Sequence, residues 1–293
     1  MRLGAFEVSE PLPELNKTHA LAMLQPWVDV GGVGTLTLSW LESCLRAKEL
    51  ARLTKPGDFF DFTRYRPTVF SSEGRRQVIV PNAYVTYSQQ DTGHDFLFLH
   101  LLEPHSHAEI YVESILQLLT KFDVKRYCLI GSMYDYVPHT KPLIVTGSAN
   151  GKETQSELEK LDIEPSNYQG PTTIITLIPQ SAPDLGIETM SLIIHLPQYT
   201  QLDEDFTGAS RLMEVLSSLY GLPQEKTYIE KAQQQLEQIN QALDKNPQLK
   251  AIVKEMENQY EAESPDGEER KPPRLSPEVE KFLSDMEKRF KEN

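Results

Sequence analysis

Cys128-Leu-Ile-Gly-Ser-Met-Tyr-Asp-Tyr-Val-Pro-His-Thr-Lys-Pro142 is the stretch on which the fold of this chain turns. Tyr127 to Ile130 is a short apolar run closed by Gly131, which reads as a buried strand. Upstream, Ile110, Ile115, Leu118, Leu119 and Phe122 recur at helical spacing. Before them, Asp95 to Leu102 is another apolar run. Strand, helix and strand, with no polar alternation in the strands, is a βαβ unit of a parallel sheet buried on both faces. In such sheets the groups that bind ligands gather beyond the carboxyl ends of the strands. Asp135, His139, Thr140 and Lys141 follow the strand in that position. A second reading stays open, in which Pro138 and Pro142 only stiffen a connecting loop.

The same reasoning extends toward the N-terminus. Leu21 to Val30 reads as a first strand broken by Pro26. Asp29-Val-Gly31-Gly-Val-Gly34 then leads into a helix from about Thr35, with Leu38, Leu41 and Leu45 facing the sheet. A glycine turn between strand and helix can cradle a phosphate. This one lacks both G-x-G-x-x-G and a following lysine, so a tight turn that permits close packing is the favoured reading. Phe59 to Phe62 is strand-like, and Val69-Phe70 and Val78-Ile-Val80 form a hairpin around a polar turn from Ser71 to Arg76. Glu103-Pro-His105-Ser-His107 follows the apolar strand. Its histidines are two apart and unsuited to one metal on a helix, while Ser106 and Glu109 have the spacing of a capping box.

Toward the C-terminus, Leu143 to Thr146 reads as a strand, Lys152 to Leu161 as a surface helix, Ile174 to Ile178 as a strand and Glu188 to Leu196 as the last core strand. Phe206 to Leu219 is an amphipathic helix ended by Gly221. Ile229 to Leu243 and Leu249 to Tyr260 carry two further helical stripes, the second opened by Asn246-Pro247. The expected organisation is a core domain over 1–222, a helical hairpin over 223–262, and a linker with a terminal amphipathic helix over 263–293. In that last helix Val279, Phe282, Leu283, Met286 and Phe290 share one face behind Ser276-Pro277.

Composition narrows function by exclusion. The net charge is −14, with 29 basic and 43 acidic residues. This argues against nucleic acid or an anionic membrane as partner, since both need basic patches. No apolar run approaches the roughly 18 residues that span a bilayer, and the N-terminus has no secretory core, so the expected location is the cytoplasm. Cys44 and Cys128 lie in apolar patterns and are expected reduced and buried. No spacing points to a metal or a cofactor.

Six segments in order resemble the proteasome assembly chaperone 2 family. They are Trp27-Val-Asp29-Val-Gly31, Phe59-Phe60-Asp61-Phe62 with Arg66-Pro67, Glu103-Pro104, Pro138-His139-Thr140-Lys141-Pro142, Tyr168-Gln169-Gly170-Pro171-Thr172 and Pro197-Gln198-Tyr199. They run from about residue 20 to 222. Members often have Arg where Lys141 stands and His where Gln198 stands. The resemblance implies an α/β/α core with a mostly parallel mixed sheet, like that of nucleoside phosphorylases, and small rings such as homotrimers. It implies non-catalytic protein binding or assembly rather than a settled activity. The chain ends Arg289-Phe290-Lys291-Glu292-Asn293 and lacks the hydrophobic-Tyr-any tail by which some archaeal relatives dock on a proteasome. The alternative is a phosphorylase-like or hydrolase-like enzyme. It would hold an anion at the Gly31–Gly34 turn, use Glu103 or Asp135 as acid or base, and orient a hydroxyl with His139. The candidate pocket is therefore Asp29, Gly31, Gly34, Glu103, Asp135, His139, Thr140, Gly170 and Thr172. Asp29, Glu103 and His139 are expected along one edge of the sheet.

Overall fold

The computed structural model describes residues 1–72, 74–223 and 226–262. Its first half holds β1 (Arg2–Leu3), β2 (Phe6–Val8), β3 (His19–Gln25), α1 (Val33–Cys44), β4 (Lys48–Leu53), β5 (Thr68–Ser72), β6 (Arg75–Ile79), β7 (Tyr84–Ser88), β8 (Phe96–Leu102) and α2 (Ala108–Lys121). The second half holds β9 (Arg126–Asp135), β10 (Val145–Asn150), α3 (Lys152–Lys160), β11 (Glu164–Pro165), α4 (Ile174–Ser181), β12 (Glu188–Pro197), α5 (Phe206–Tyr220), α6 (Lys226–Asp244) and α7 (Pro247–Ala262). Ten strands form one sheet in the order β1-β2-β4-β7-β8-β3-β9-β12-β10-β11, and β5 and β6 pair separately. The central run β8-β3-β9-β12 is parallel. The flanks are antiparallel, apart from the short β10–β11 pair. The sheet is thus mixed as expected, with its parallel character confined to the centre.

Residue parity divides the core into two layers. Ala20, Ala22, Leu24, Leu97, Leu99, Leu101, Tyr127 and Leu129 face α2 and α4. Leu21, Met23, Phe96, Phe98, Cys128, Ile130, Met190, Leu192, Ile194 and Leu196 face α1 and α5, with Leu158 of α3 in the same cluster. Strands buried on both faces require helices on both, which is why these runs lack polar alternation. Each fully buried aliphatic side chain in them contributes about 1.5–3 kcal/mol.

Several elements differ from the sequence reading. β4 and β7 are strands that the apolar pattern did not mark, because they lie toward the flank and carry polar residues on one face. Tyr84 and Tyr87 stand in β7 and Tyr134 in β9. Phe59 and Phe60 are not in a strand. They follow a 3-10 turn at Pro56–Asp58, and their rings are buried against Tyr111 of α2. Ile174 to Ile178 is helical. Thr173 caps it and Ile174 and Ile178, four apart, are buried, so the one-sided demand of packing overrides β-branched propensity. Ser106 does not cap α2. His107 occupies that position with φ 54°, and the Ser106 hydroxyl donates to the Asp58 carbonyl at 2.6 Å. Cys44 is exposed, while Cys128 is buried.

Gly131 does not close β9, which runs on to Asp135. Here the carbonyl of Val28 comes so close that a Cβ on Gly131 would lie 2.0 Å from it. The loop after β3 is then stitched to β9 by Ser132 N–H to the Val28 carbonyl (2.9 Å) and the Ser132 hydroxyl to the Val30 carbonyl (2.6 Å). The helices α6 and α7 pack against this end of the core, and Asn246 caps α7 through the Leu249 N–H at 3.1 Å. The expected helix from Ser276 to Phe290 lies outside the described residues.

At the opposite, amino edge, His19 at the start of β3 stacks on His94 at 3.9 Å, and Arg126 lies buried among Glu153, Glu157 and Glu188. Burial, then His94 and then Arg126 push the His19 imidazole down to about 3. Below pH 6.5 the unfolded chain therefore binds a proton that the folded chain refuses, so stability falls as pH drops from 6.5 to about 3. We expect chemical denaturation to show lower unfolding free energy at pH 5 than at pH 7, and His19→Gln to remove part of that slope.

Candidate functional site

The carboxyl ends of β8, β3, β9 and β12 share one edge, and the predicted residues occupy it in order. Glu103 follows β8 and gives its N–H to the Gln25 carbonyl (2.8 Å). Gln25 ends β3 and donates through Nε2 to Asp29 (3.3 Å) and to Thr35 (2.9 Å). Asp29 bridges to Ser132 of β9. Asp135 ends β9 opposite Pro197 of β12, and His139 lies beyond it.

Their side chains do not converge on one space. Asp29 turns back on its own loop, where it accepts from the Gly34 N–H (2.7 Å), the Thr35 N–H (3.2 Å) and the Thr35 hydroxyl (2.5 Å). These are the free N–H groups at the start of α1. The anion position that the glycine turn offers is thus filled by the chain's own carboxylate. Gly34 keeps this approach close, for a Cβ would meet Asp29 Oδ1 and Met23 Cβ at 3.0 Å and press them back. The Gly31 carbonyl accepts from the Asp205 N–H at 2.7 Å. Burial pushes the Asp29 carboxyl upward, against the hydrogen bonds from Thr35, Gly34 and Gln25.

His139 is buried between two elements. The Tyr199 hydroxyl accepts from the His139 main-chain N–H (2.8 Å) and meets Nδ1 at 2.5 Å. Nε2 lies 3.0 Å from Asn240 Oδ1, which only accepts, so Nε2 carries the proton and Nδ1 accepts from Tyr199. Burial lowers the imidazole, which agrees with a neutral ring. Thr140 and Lys141 turn outward to α7, donating to Glu257 (2.5 Å) and Glu261 (2.6 Å). Tyr260 donates to the Pro142 carbonyl at 3.0 Å. The Pro138–Pro142 loop is therefore the seat of the helical hairpin, with Tyr199, Leu243, Val253 and Met256 forming a small core there.

Glu103 is half-buried, and burial raises its carboxyl while His105 opposes the rise. Gly170 and Thr172 lie in an exposed segment, where Thr172 bonds Thr176. Asp135 meets His195 Nδ1 at 2.6 Å, and His195 Nε2 meets the Thr146 hydroxyl at 2.9 Å. Neither His195 nor Thr146 stands out as a motif. The available signal was parity: Met190, Leu192, Ile194 and Leu196 share one face of β12, which leaves a histidine on the other. A cleft of about 280 Å³ lies elsewhere, between the β1–β2 turn and the start of α2, lined by Arg2, Lys55, Phe59, His107 and Ile110.

A family model described as PAC2 family matches residues 23–245. The chain belongs to the PAC2 family. Among curated proteins none matches it. Among solved structures, a protein of unknown function from Mycobacterium tuberculosis is similar at 23% identity and TM-score 0.77, with 89% of this chain and 90% of that one covered. A protein of unknown function from Corynebacterium glutamicum is similar at 19% identity and TM-score 0.77, covering 88% and 97%. A proteasome-assembly chaperone homologue from Mycobacterium tuberculosis is similar at 16% identity and TM-score 0.71, covering 80% and 99%. At these identities the likeness is one of fold.

The doubly anchored imidazole generates a prediction. His139→Ala leaves the Tyr199 hydroxyl and Asn240 without this partner, at a cost of about 1–3 kcal/mol. Hydrogen exchange should quicken across 226–262 and leave β3 unchanged. Unaltered protection in α6 and α7 would show that the hairpin is held by other contacts.

Proposed function

We propose that this PAC2 family member is a protein-binding, assembly-chaperone-like protein that works as a homo-oligomer, most simply a trimer, in the cytoplasm. The observation that carries the reading is the β5–β6 hairpin. Val69, Phe70, Val78, Ile79 and Val80 are five of the twelve exposed large hydrophobic residues among those described, with Val69, Val78 and Ile79 each 58–59% exposed. An isolated two-stranded ribbon is marginal in water, and an apolar patch of this kind marks a protein contact. Arg75 and Arg76 lie on the same hairpin of an otherwise acidic chain, and arginine is enriched at interfaces. Asp29 and His139 are engaged within the chain, which speaks for a surface rather than a small-molecule pocket between them. No helix among the described residues is long and apolar enough to cross a membrane. The likeness to a proteasome-assembly chaperone homologue supports a proteasome subunit as the first partner to test.

Light scattering on the full chain should give a multiple of 33.4 kDa. Val69→Asp with Ile79→Asp should lower the mass to one chain while leaving the circular dichroism unchanged. Co-purification from the native host should recover a defined partner in stoichiometric amount with the unaltered chain and lose it with the double variant. A monomeric native chain that retains no partner would overturn the proposal.

A further inference from the structure

The relay Asp135–His195–Thr146 stands on a part of the sheet that no helix among the described residues covers. α2 and α4 cover β8, β3 and the first half of β9 on one side. Beyond them the same side continues over the second half of β9, then β12, β10 and β11. Register places Met133 beside His195, Gly131 beside Ile193, Ile193 beside Thr146, Ser191 beside Ser148 and Thr146 beside Glu164. Ser148 is exposed, while Thr146, Ser191 and Ile193 are half-buried. On the reverse side, Val145, Met190, Leu192 and Ile194 are packed in the core with Leu158 of α3. The strands that carry the relay are thus rigid from behind and accessible in front.

The polarity of the relay is fixed by its donors. Asp135 Oδ2 sits 2.6 Å from Nδ1, so in the neutral ring Nδ1 carries the proton and Nε2 presents its lone pair. Thr146 Oγ1 at 2.9 Å then donates to Nε2. A hydroxyl that gives its proton to an imidazole, itself held by a carboxylate, is an activated nucleophile. The reverse order, with the threonine as acceptor, would leave it inert. The His195 side chain is 11% exposed, so its orientation is set by packing as well as by the carboxylate. One residue pair further along the face, the Ser148 and Ser191 hydroxyls meet at 2.8 Å. One of them donates to the other, and the second keeps a free O–H to turn toward a developing oxyanion.

We propose that Thr146, His195 and Asp135 form an acyl-transfer site on this open face, with carboxylic esters or other activated acyl groups as substrate class. Thr146 Oγ1 attacks the acyl carbon while its proton passes to His195 Nε2, and Asp135 holds the resulting imidazolium by Nδ1–H. Collapse of the tetrahedral intermediate breaks the bond to the leaving group, which takes the Nε2 proton and departs as the alcohol. Water then adds to the acyl-threonine, losing a proton to Nε2. The second collapse releases the carboxylic acid and returns that proton to Thr146. Thr146 and His195 are the catalytic residues, and Asp135 is a positioning residue. Ile193 and Met133 border the acyl position with apolar surface. The proposal is independent of the hairpin and of the protein-binding role assigned to it.

The test uses p-nitrophenyl acetate with the full chain. The expected result is a burst of p-nitrophenolate, about one per chain, and one acetyl group located on Thr146 by peptide mass spectrometry. Thr146→Ala should abolish the acetylation, Thr146→Ser should retain it, and His195→Gln should slow it by about 10²–10⁴-fold. Asp135→Asn should slow it as well, and should remove a low-field Nδ1 proton resonance that Thr146→Ala keeps. That signature separates positioning from a general loss of fold, as does an unchanged melting temperature in Thr146→Ser. Acetylation confined to lysines, or equal rates in native chain and Thr146→Ala, would overturn the proposal. So would a folded Thr146→Ser variant and a native chain that are both unreactive.

Discussion

The contact on which the rest of this structure depends is the approach of the Val28 carbonyl to Gly131. No side chain fits between them. Because the loop after β3 lies directly on β9, Asp29 is brought over the start of α1, and its carboxylate satisfies two main-chain N–H groups there. α1 is thereby fixed against the sheet, and Asp205, at the start of α5 in the same layer, closes on Gly31. A larger residue at 131 would push the loop away and undo each of these in turn. The charge of Asp29 is tolerated in a buried place only because its acceptors are nearly all used.

The parallel centre was legible because its strands are apolar on both faces, and helices of the right stripe separate them. The flanks were not, for β4 and β7 bury one face and read as mixed sequence. α4 shows the opposite failure: a run of β-branched residues that looks like a strand becomes a helix because only every fourth residue meets the core. Glycine misled once. Gly131 looked like the end of a strand, and its role is to admit a neighbouring backbone.

At the site, the shared edge could be read from strand order alone, and Asp29, Glu103 and His139 do lie along it. What sequence order does not contain is the direction each side chain takes. Asp29 folds back on the helix that follows it, and His139 is taken up by Tyr199 and by Asn240, one hundred and one residues away. Such partners are set by packing between distant segments, so spacing carries no trace of them. His195 and Thr146 belong to adjacent strands whose pairing had to be seen before either could be linked to Asp135.

The two outermost strands, β1 and β11, are two residues long each. A strand so short has few unpaired main-chain groups to offer a passing chain. The ten-stranded ladder therefore offers little purchase for pairing with another molecule. The rims of the large sheet are thereby guarded against edge-to-edge growth with a second chain, the route by which long exposed strands seed fibres.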